Sequence, residues 1–201
     1  VLNLYALGSV MAGKHLFFQT LNIDFRSQDG LTKFHSNNYS YKGKEYKYIL
    51  YFISGRFNDP GLLPIERRDC DAVMFLANPM IEEEFEKIEK IVRRIAEVHP
   101  DSLIALIMQN VFGNIENLTP EHQMNALQNG EYFCDIESTY NLKLCSLNYD
   151  LEEIQALESG DPMAQFKFFK MFNDTFYEII HDCIERHENP GMKTPIKMPE
   201  F

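Results

Sequence analysis

Four short, mostly apolar runs set the architecture of this chain: Leu2–Leu7 (LNLYAL), Ala72–Ala77 (AVMFLA), residues 102–108 (SLIALIM) and residues 142–147 (LKLCSL). Each is strand-sized, and none shows the strict apolar/polar alternation of a strand with one wet face. Such runs fit strands covered on both sides, which is the situation in a parallel sheet packed between helices. Helical patterns fall between them. Residues 14–21 start a helix after a loop at 8–13. Over residues 81–98, Phe85, Ile88, Ile91, Val92, Ile95 and Val98 recur at spacings of three and four, the period of one helix face. Thr119-Pro120 supplies an N-cap followed by proline at the first helical position. Residues 166–184 form a closing helix, with Phe169, Phe172, Phe176, Ile179, Ile180 and Cys183 on one broad face.

One segment breaks the alternation of strand and helix. Residues 38–41 and 45–53 are rich in aromatic and β-branched residues and are joined by Lys42-Gly43-Lys44, the pattern of a β-hairpin. The expected fold is therefore an α/β, three-layer α/β/α sandwich with a mostly parallel sheet and one antiparallel edge hairpin. It occupies residues 1–187 as one domain. Residues 188–201, with Pro190, Pro195 and Pro199 and the cations Lys193 and Lys197, read as an extended C-terminal arm. The aromatic supply, sixteen Phe and ten Tyr, fills such a core without a metal or disulfide staple.

Charge and cysteine usage exclude several classes. A net charge of -11 argues against nucleic acid, whose phosphates need clustered Lys and Arg. No run reaches the length of a membrane span, no signal-peptide pattern opens the chain, and no prenylation box closes it. Cys70, Cys134, Cys145 and Cys183 have no metal-ligand or disulfide-frame spacing. They read as buried thiols of a cytoplasmic protein. His99, His122, His181 and His187 are scattered, and the acidic run around Glu82–Glu86 suits the start of a helix, so no metal site is expected. Arg93-Arg94 is expected to pair with glutamates along its helix.

The segment that carries chemistry is Gly8-Ser9-Val10-Met11-Ala12-Gly13-Lys14-His15. It fits G-x-x-x-x-G-K and lies between a strand and a helix, where glycines let backbone N–H groups converge on phosphate and the lysine reaches the outer phosphates. A working phosphate loop continues with Ser or Thr, whose hydroxyl binds Mg²⁺. Here the residue is His15, a poor ligand for a hard cation.

With this loop at the first strand and a hairpin directly after the first helix, the chain resembles the Ras-like small GTPases from Val1 to about Glu185. The resemblance implies roles for further residues. Thr32 matches the switch threonine that contacts Mg²⁺ and the γ-phosphate. Phe52-Ile53-Ser54-Gly55 matches D-x-x-G, so Gly55 is kept and Phe52 replaces the magnesium aspartate; Arg56 stands in place of the water-orienting glutamine. Asn110-Val111-Phe112-Gly113 matches N-K-x-D, with only Asn110 kept, and Ser146-Leu147-Asn148 matches the last base-contacting loop.

Hydrolysis of GTP depends on positioning and metal-assisted charge stabilisation, so these losses imply a pseudo-GTPase with no catalytic residue. The nucleotide-binding set, vestigial if used at all, is Gly8, Gly13, Lys14, His15, Thr32, Gly55, Asn110 and Ser146. No cofactor is fixed, although the loop could hold GTP or GDP without a well-formed magnesium site. The resulting expectation is a protein-interaction scaffold or a subunit of an intracellular complex, with a G-domain heterodimer or a larger complex as the partner arrangement. The alternatives are a nucleotide-binding switch with weak or no hydrolysis, using Lys14 and Thr32, and a small-molecule kinase built on the same loop. The tyrosines of the hairpin (Tyr39, Tyr41, Tyr46, Tyr48 and Tyr51) offer either an exposed interface or a surface covered by the chain's own helices.

Overall fold

The computed structural model of the chain describes residues 1–8, 13–27, 32–53, 65, 68–80, 85–111 and 115–192. Its strands are β1 (Leu2–Leu7), β2 (Arg26–Ser27), β3 (Thr32–Tyr41), β4 (Lys44–Ile53), β5 (Ala72–Ala77), β6 (Leu103–Asn110) and β7 (Lys143–Asn148). Its α-helices are α1 (Lys14–Thr20), α2 (Phe85–Val98), α3 (Pro120–Tyr140), α4 (Leu151–Glu158) and α5 (Pro162–Glu188). The strands form one sheet in the order β2-β3-β4-β1-β5-β6-β7. β4, β1, β5, β6 and β7 run parallel, whereas β3 is antiparallel to β4 and to the two-residue β2. This is the expected three-layer sandwich with an antiparallel edge, in a small-GTPase-like layout.

The continuous apolar runs are explained by the two faces of the sheet. Leu4, Ala6, Met74, Leu76, Ala105 and Ile107 pack with Phe17, Phe18, Phe172 and Phe176 of α1 and α5. The residues between them, including Tyr5, Val73, Phe75, Ile104 and Leu106, pack with Ile88, Val92, Ile95, Phe133 and Ile136 of α2 and α3. A parallel strand needs apolar residues on both faces because both are covered.

Local signals place most helix ends. The Thr119 hydroxyl accepts a bond from the His122 amide, and Pro120 starts α3. The hairpin turn is tighter than expected, with Lys42 (φ 50°) and Gly43 (φ 76°) both left-handed, the conformation that suits a two-residue turn between twisted strands. β3 starts six residues before the hairpin pattern, at Thr32. α5 starts at Pro162, capped by Asp161. Its buried face carries Phe168 rather than Phe169, which is 44% exposed. The C-terminal segment remains helical to Glu188, followed by a 3₁₀ turn at Pro190–Met192. The remainder of the expected arm, from 193, lies outside the described residues, as does the acidic run at 82–84.

Four of the five hairpin tyrosines, Tyr39, Tyr41, Tyr46 and Tyr48, lie against α5. Tyr39 stacks on Tyr177 (4.7 Å between centroids), and Tyr41 stacks on His181 (4.4 Å). The Tyr39 hydroxyl also lies 2.6 Å from His181 Nε2. Tyr41 donates to Glu185 and Tyr46 to Glu188, at 3.0 and 2.6 Å. Lys42 and Lys44 pair with the same two carboxylates. Tyr48 is buried in the core, and Tyr51 turns to the other face and stacks on Tyr5. The interface reading of these tyrosines is therefore set aside: four tie the edge hairpin to the closing helix, and Tyr51 packs against the core on the opposite face.

The arginine pair behaves as expected, with Arg93 on Glu89 (2.7 Å) and Arg94 on Glu97 (2.9 Å). The thiols differ from expectation. Only Cys183 is buried; Cys70 and Cys145 are half-buried and Cys134 is exposed. Burial raises the Cys70 thiol to about 12 and the Cys145 thiol to about 11, so neither is a thiolate at neutral pH. No helix among the described residues is long and apolar enough to cross a membrane.

Acid is expected to loosen this framework. Hydrogen bonds from Lys42 to Glu185, from Tyr46 to Glu188 and from Tyr132 to Glu89 hold these carboxyls below their ordinary value of 4.5. A carboxyl lowered in the folded state stabilises above its unfolded value, and that contribution is lost as pH falls through the folded value. The urea midpoint should hold between pH 7 and 5 and fall between about pH 4.5 and 3. Tyr46→Phe should reduce the fall, and a midpoint unchanged down to pH 3 would contradict the assignment.

Candidate functional site

The candidate site lies where the C-terminal ends of β1, β4 and β6 meet the start of α1, the end of a parallel sheet at which ligands usually bind. Gly8 closes β1 with φ 142°, and Gly13 precedes α1 with φ 69°. Both conformations favour glycine. Residues 9–12 lie outside the described residues.

Gly13 has a second reason to lack a side chain. A Cβ built on it would lie 2.8 Å from Gln109 Nε2 and 2.9 Å from Gln109 Oε1. Gln109 is fully buried near the end of β6, and its Oε1 accepts a hydrogen bond from the Tyr149 hydroxyl. Burial in turn pushes the Tyr149 hydroxyl above the usual tyrosine range, so it remains a donor. A buried amide needs such partners, and this one is wedged against the backbone of the candidate phosphate loop.

Lys14 is turned inward. It is 3% exposed, and its ammonium donates to the carbonyl oxygens of Gly8 and Ile53, the latter at 3.2 Å. The ammonium also lies 5.3 Å from the centre of the Phe52 ring. A buried ammonium held by backbone carbonyls and an aromatic face has exchanged hydration for internal contacts.

Phe52 sits at the centre of an aromatic cluster. Its ring lies 4.9 Å from Phe25, 6.0 Å from Phe18 and 5.2 Å from His15. His15 itself is exposed on the first turn of α1. Thr32 opens β3, opposite Ile53 in the ladder, and is 2% exposed. Gly55 and Arg56 lie outside the described residues.

The expected site residues thus divide. Gly8, Gly13, Lys14 and His15 form one group, with Thr32 beside it through Ile53. Asn110 ends β6 next to Gln109, and its side-chain amide donates to Asn148 Oδ1 at 2.6 Å. Ser146 is exposed on β7 opposite Met108, so Asn148 rather than Ser146 meets Asn110. The sequence reading missed Gln109, Tyr149, Ile53 and Phe25. Gln109 carried a signal, as a polar residue at the end of an apolar strand.

Magnesium fits this residue set poorly. A hard divalent cation takes oxygen ligands, carboxylates above all. The positions implied for it carry the imidazole of His15, the phenyl ring of Phe52 and the hydroxyl of Thr32, which is buried in a strand.

No protein-family model matches the chain, and no curated protein matches it.

Proposed function

We propose that this chain is a pseudo-GTPase: a G-domain-like fold without GTP hydrolysis that serves as a protein-interaction scaffold or as a subunit of a G-domain heterodimer or larger complex. The observation that carries the reading is the state of Lys14 and Phe52. The lysine that would meet phosphate is buried on the carbonyls of Gly8 and Ile53. The residue in place of the magnesium aspartate is a phenylalanine packed among Phe18, Phe25 and His15. Phosphoryl transfer offers a protein little to do except position groups and stabilise charge, and neither residue is arranged for that here.

A second reading, a nucleotide-binding switch without efficient hydrolysis, is favoured by one observation: Gly8 and Gly13, at the two glycine positions of the phosphate-loop pattern, both have positive φ. Both readings predict negligible hydrolysis. With GTP and Mg²⁺ in excess, phosphate release should stay at the no-protein background even at high protein concentration. Release that scales with protein and is abolished by Lys14→Ala would overturn both.

A further inference from the structure

The longest helix carries two apolar stripes, and the sheet covers only one. Phe168, Phe172, Phe176, Ile179 and Ile180 of α5 face the core. Met163, Phe166 and Phe169, three residues apart, are 76%, 65% and 44% exposed. A helix on a globular surface needs one apolar stripe, and contiguous exposed apolar surface usually marks an interaction site. Phe166 and Phe169 line a groove of about 690 Å³ with Pro162, Leu16 of α1 and Leu157 of α4.

We infer that this groove docks an amphipathic helix of a partner protein, one whose apolar stripe is flanked by Lys and Arg. The proposal deepens the scaffold reading and rests on it, by naming the kind of partner. The walls are the helices α1, α4 and α5, with no strand edge among the lining residues, so the fitting mode is a helix in a groove.

Charge fixes the partner's sign. Glu158 lines the groove, and Asp161 caps α5 beside the lining residue Pro162. Neither carries an ion pair among the described residues. The nearby cations are already neutralised, Lys167 by Glu153 and Lys170 by Asp174. The rim is therefore acidic, on a chain of net charge -11. A second copy would bring two acidic rims together, which like-charge repulsion opposes. A helix with basic flanks gains on both counts.

The test uses the full chain, isotope-labelled, and a synthetic peptide of about 18 residues, or five helical turns, with leucines every third and fourth position and lysines flanking them. A twin peptide carries glutamate in place of each lysine. The basic peptide should bind saturably and become helical, shifting the amide signals of Leu16, Leu157, Phe166 and Phe169. The acidic twin should bind at least tenfold more weakly. Phe166→Ser, at an exposed position, should fold normally and lose tenfold or more in affinity, and Glu158→Lys should weaken the basic peptide selectively. Equal affinity for both peptides, shifts confined to another surface, or no binding would overturn the proposal. So would sedimentation showing that the chain alone dimerises through Phe166. Lys14-dependent nucleotide binding would instead overturn the pseudo-GTPase reading and leave a positive groove result standing, so the two failures are distinguishable.

Discussion

Replacing Phe52 by alanine is expected to lower unfolding stability by about 3–5 kcal/mol, the range for removing a buried phenyl ring. For a domain of this size that corresponds to a fall in Tm of roughly 6–20 °C. The ring is 6% exposed and touches aromatic groups on α1 and on the segment before β2, so the surroundings cannot close over the cavity without moving α1. Phe52→Leu keeps most of the volume and should cost less than about 1.5 kcal/mol. Urea unfolding of the two variants checks both numbers. A loss below about 1 kcal/mol for the alanine variant would mean that Phe52 does not fill the loop end of the sheet, and the main support for a closed site would go.

Gly13→Ala should cost roughly 2–5 kcal/mol, from two separable causes. The first is backbone: a φ of 69° is left-handed, and a Cβ there costs about 1–2 kcal/mol. The second is contact, because the new Cβ would lie 2.8 Å from the Gln109 amide. Relieving it means moving Gln109 and so straining its bond from Tyr149, and a buried polar group that loses its partner costs about 1–3 kcal/mol. Gln109→Ala removes the contact, so the double variant should be more stable than the sum of the single losses predicts. A coupling of about 1 kcal/mol or more is expected from a double-mutant cycle. Strict additivity would show that Gln109 does not press on the loop.

The architecture was legible because burial on both faces writes itself into the strands. Residues 72–77 and 102–108 have no polar alternation, and that alone orders them inside a parallel sheet. The helix over 81–98 and the cap at Thr119 were equally plain. α4 was missed although Asp150 and Glu153 form a capping box, because eight residues give too few turns for a periodic stripe and none of its side chains is fully buried. β2 has two residues and pairs only at Arg26 and Ser27, too short for any pattern.

The site was half legible. The glycines and Lys14 announce a phosphate loop by spacing, but spacing is silent on which way a lysine points. Its inward turn depends on the carbonyl of Ile53, 39 residues away. The wedge of Gln109 on Gly13 joins positions far apart in the chain, and only the sheet register brings them together. The hairpin tyrosines show the same limit: their alternation was visible, while the partner on α5 that four of them lie against was not.

The proposed pseudo-GTPase, with Lys14 held on the carbonyls of Gly8 and Ile53 and Gly13 against Gln109, should not respond to nucleotide. Thermal unfolding with GTP, GDP, ATP or no nucleotide, each with and without Mg²⁺, tests it most directly, with Lys14→Ala measured against its own baseline. A ligand at one hundred times its Kd adds about 2.7 kcal/mol, several degrees for a domain this size. The expected result is a cooperative transition that no nucleotide moves. A shift of several degrees that disappears in Lys14→Ala would contradict it, and the chain would then be a nucleotide-dependent switch.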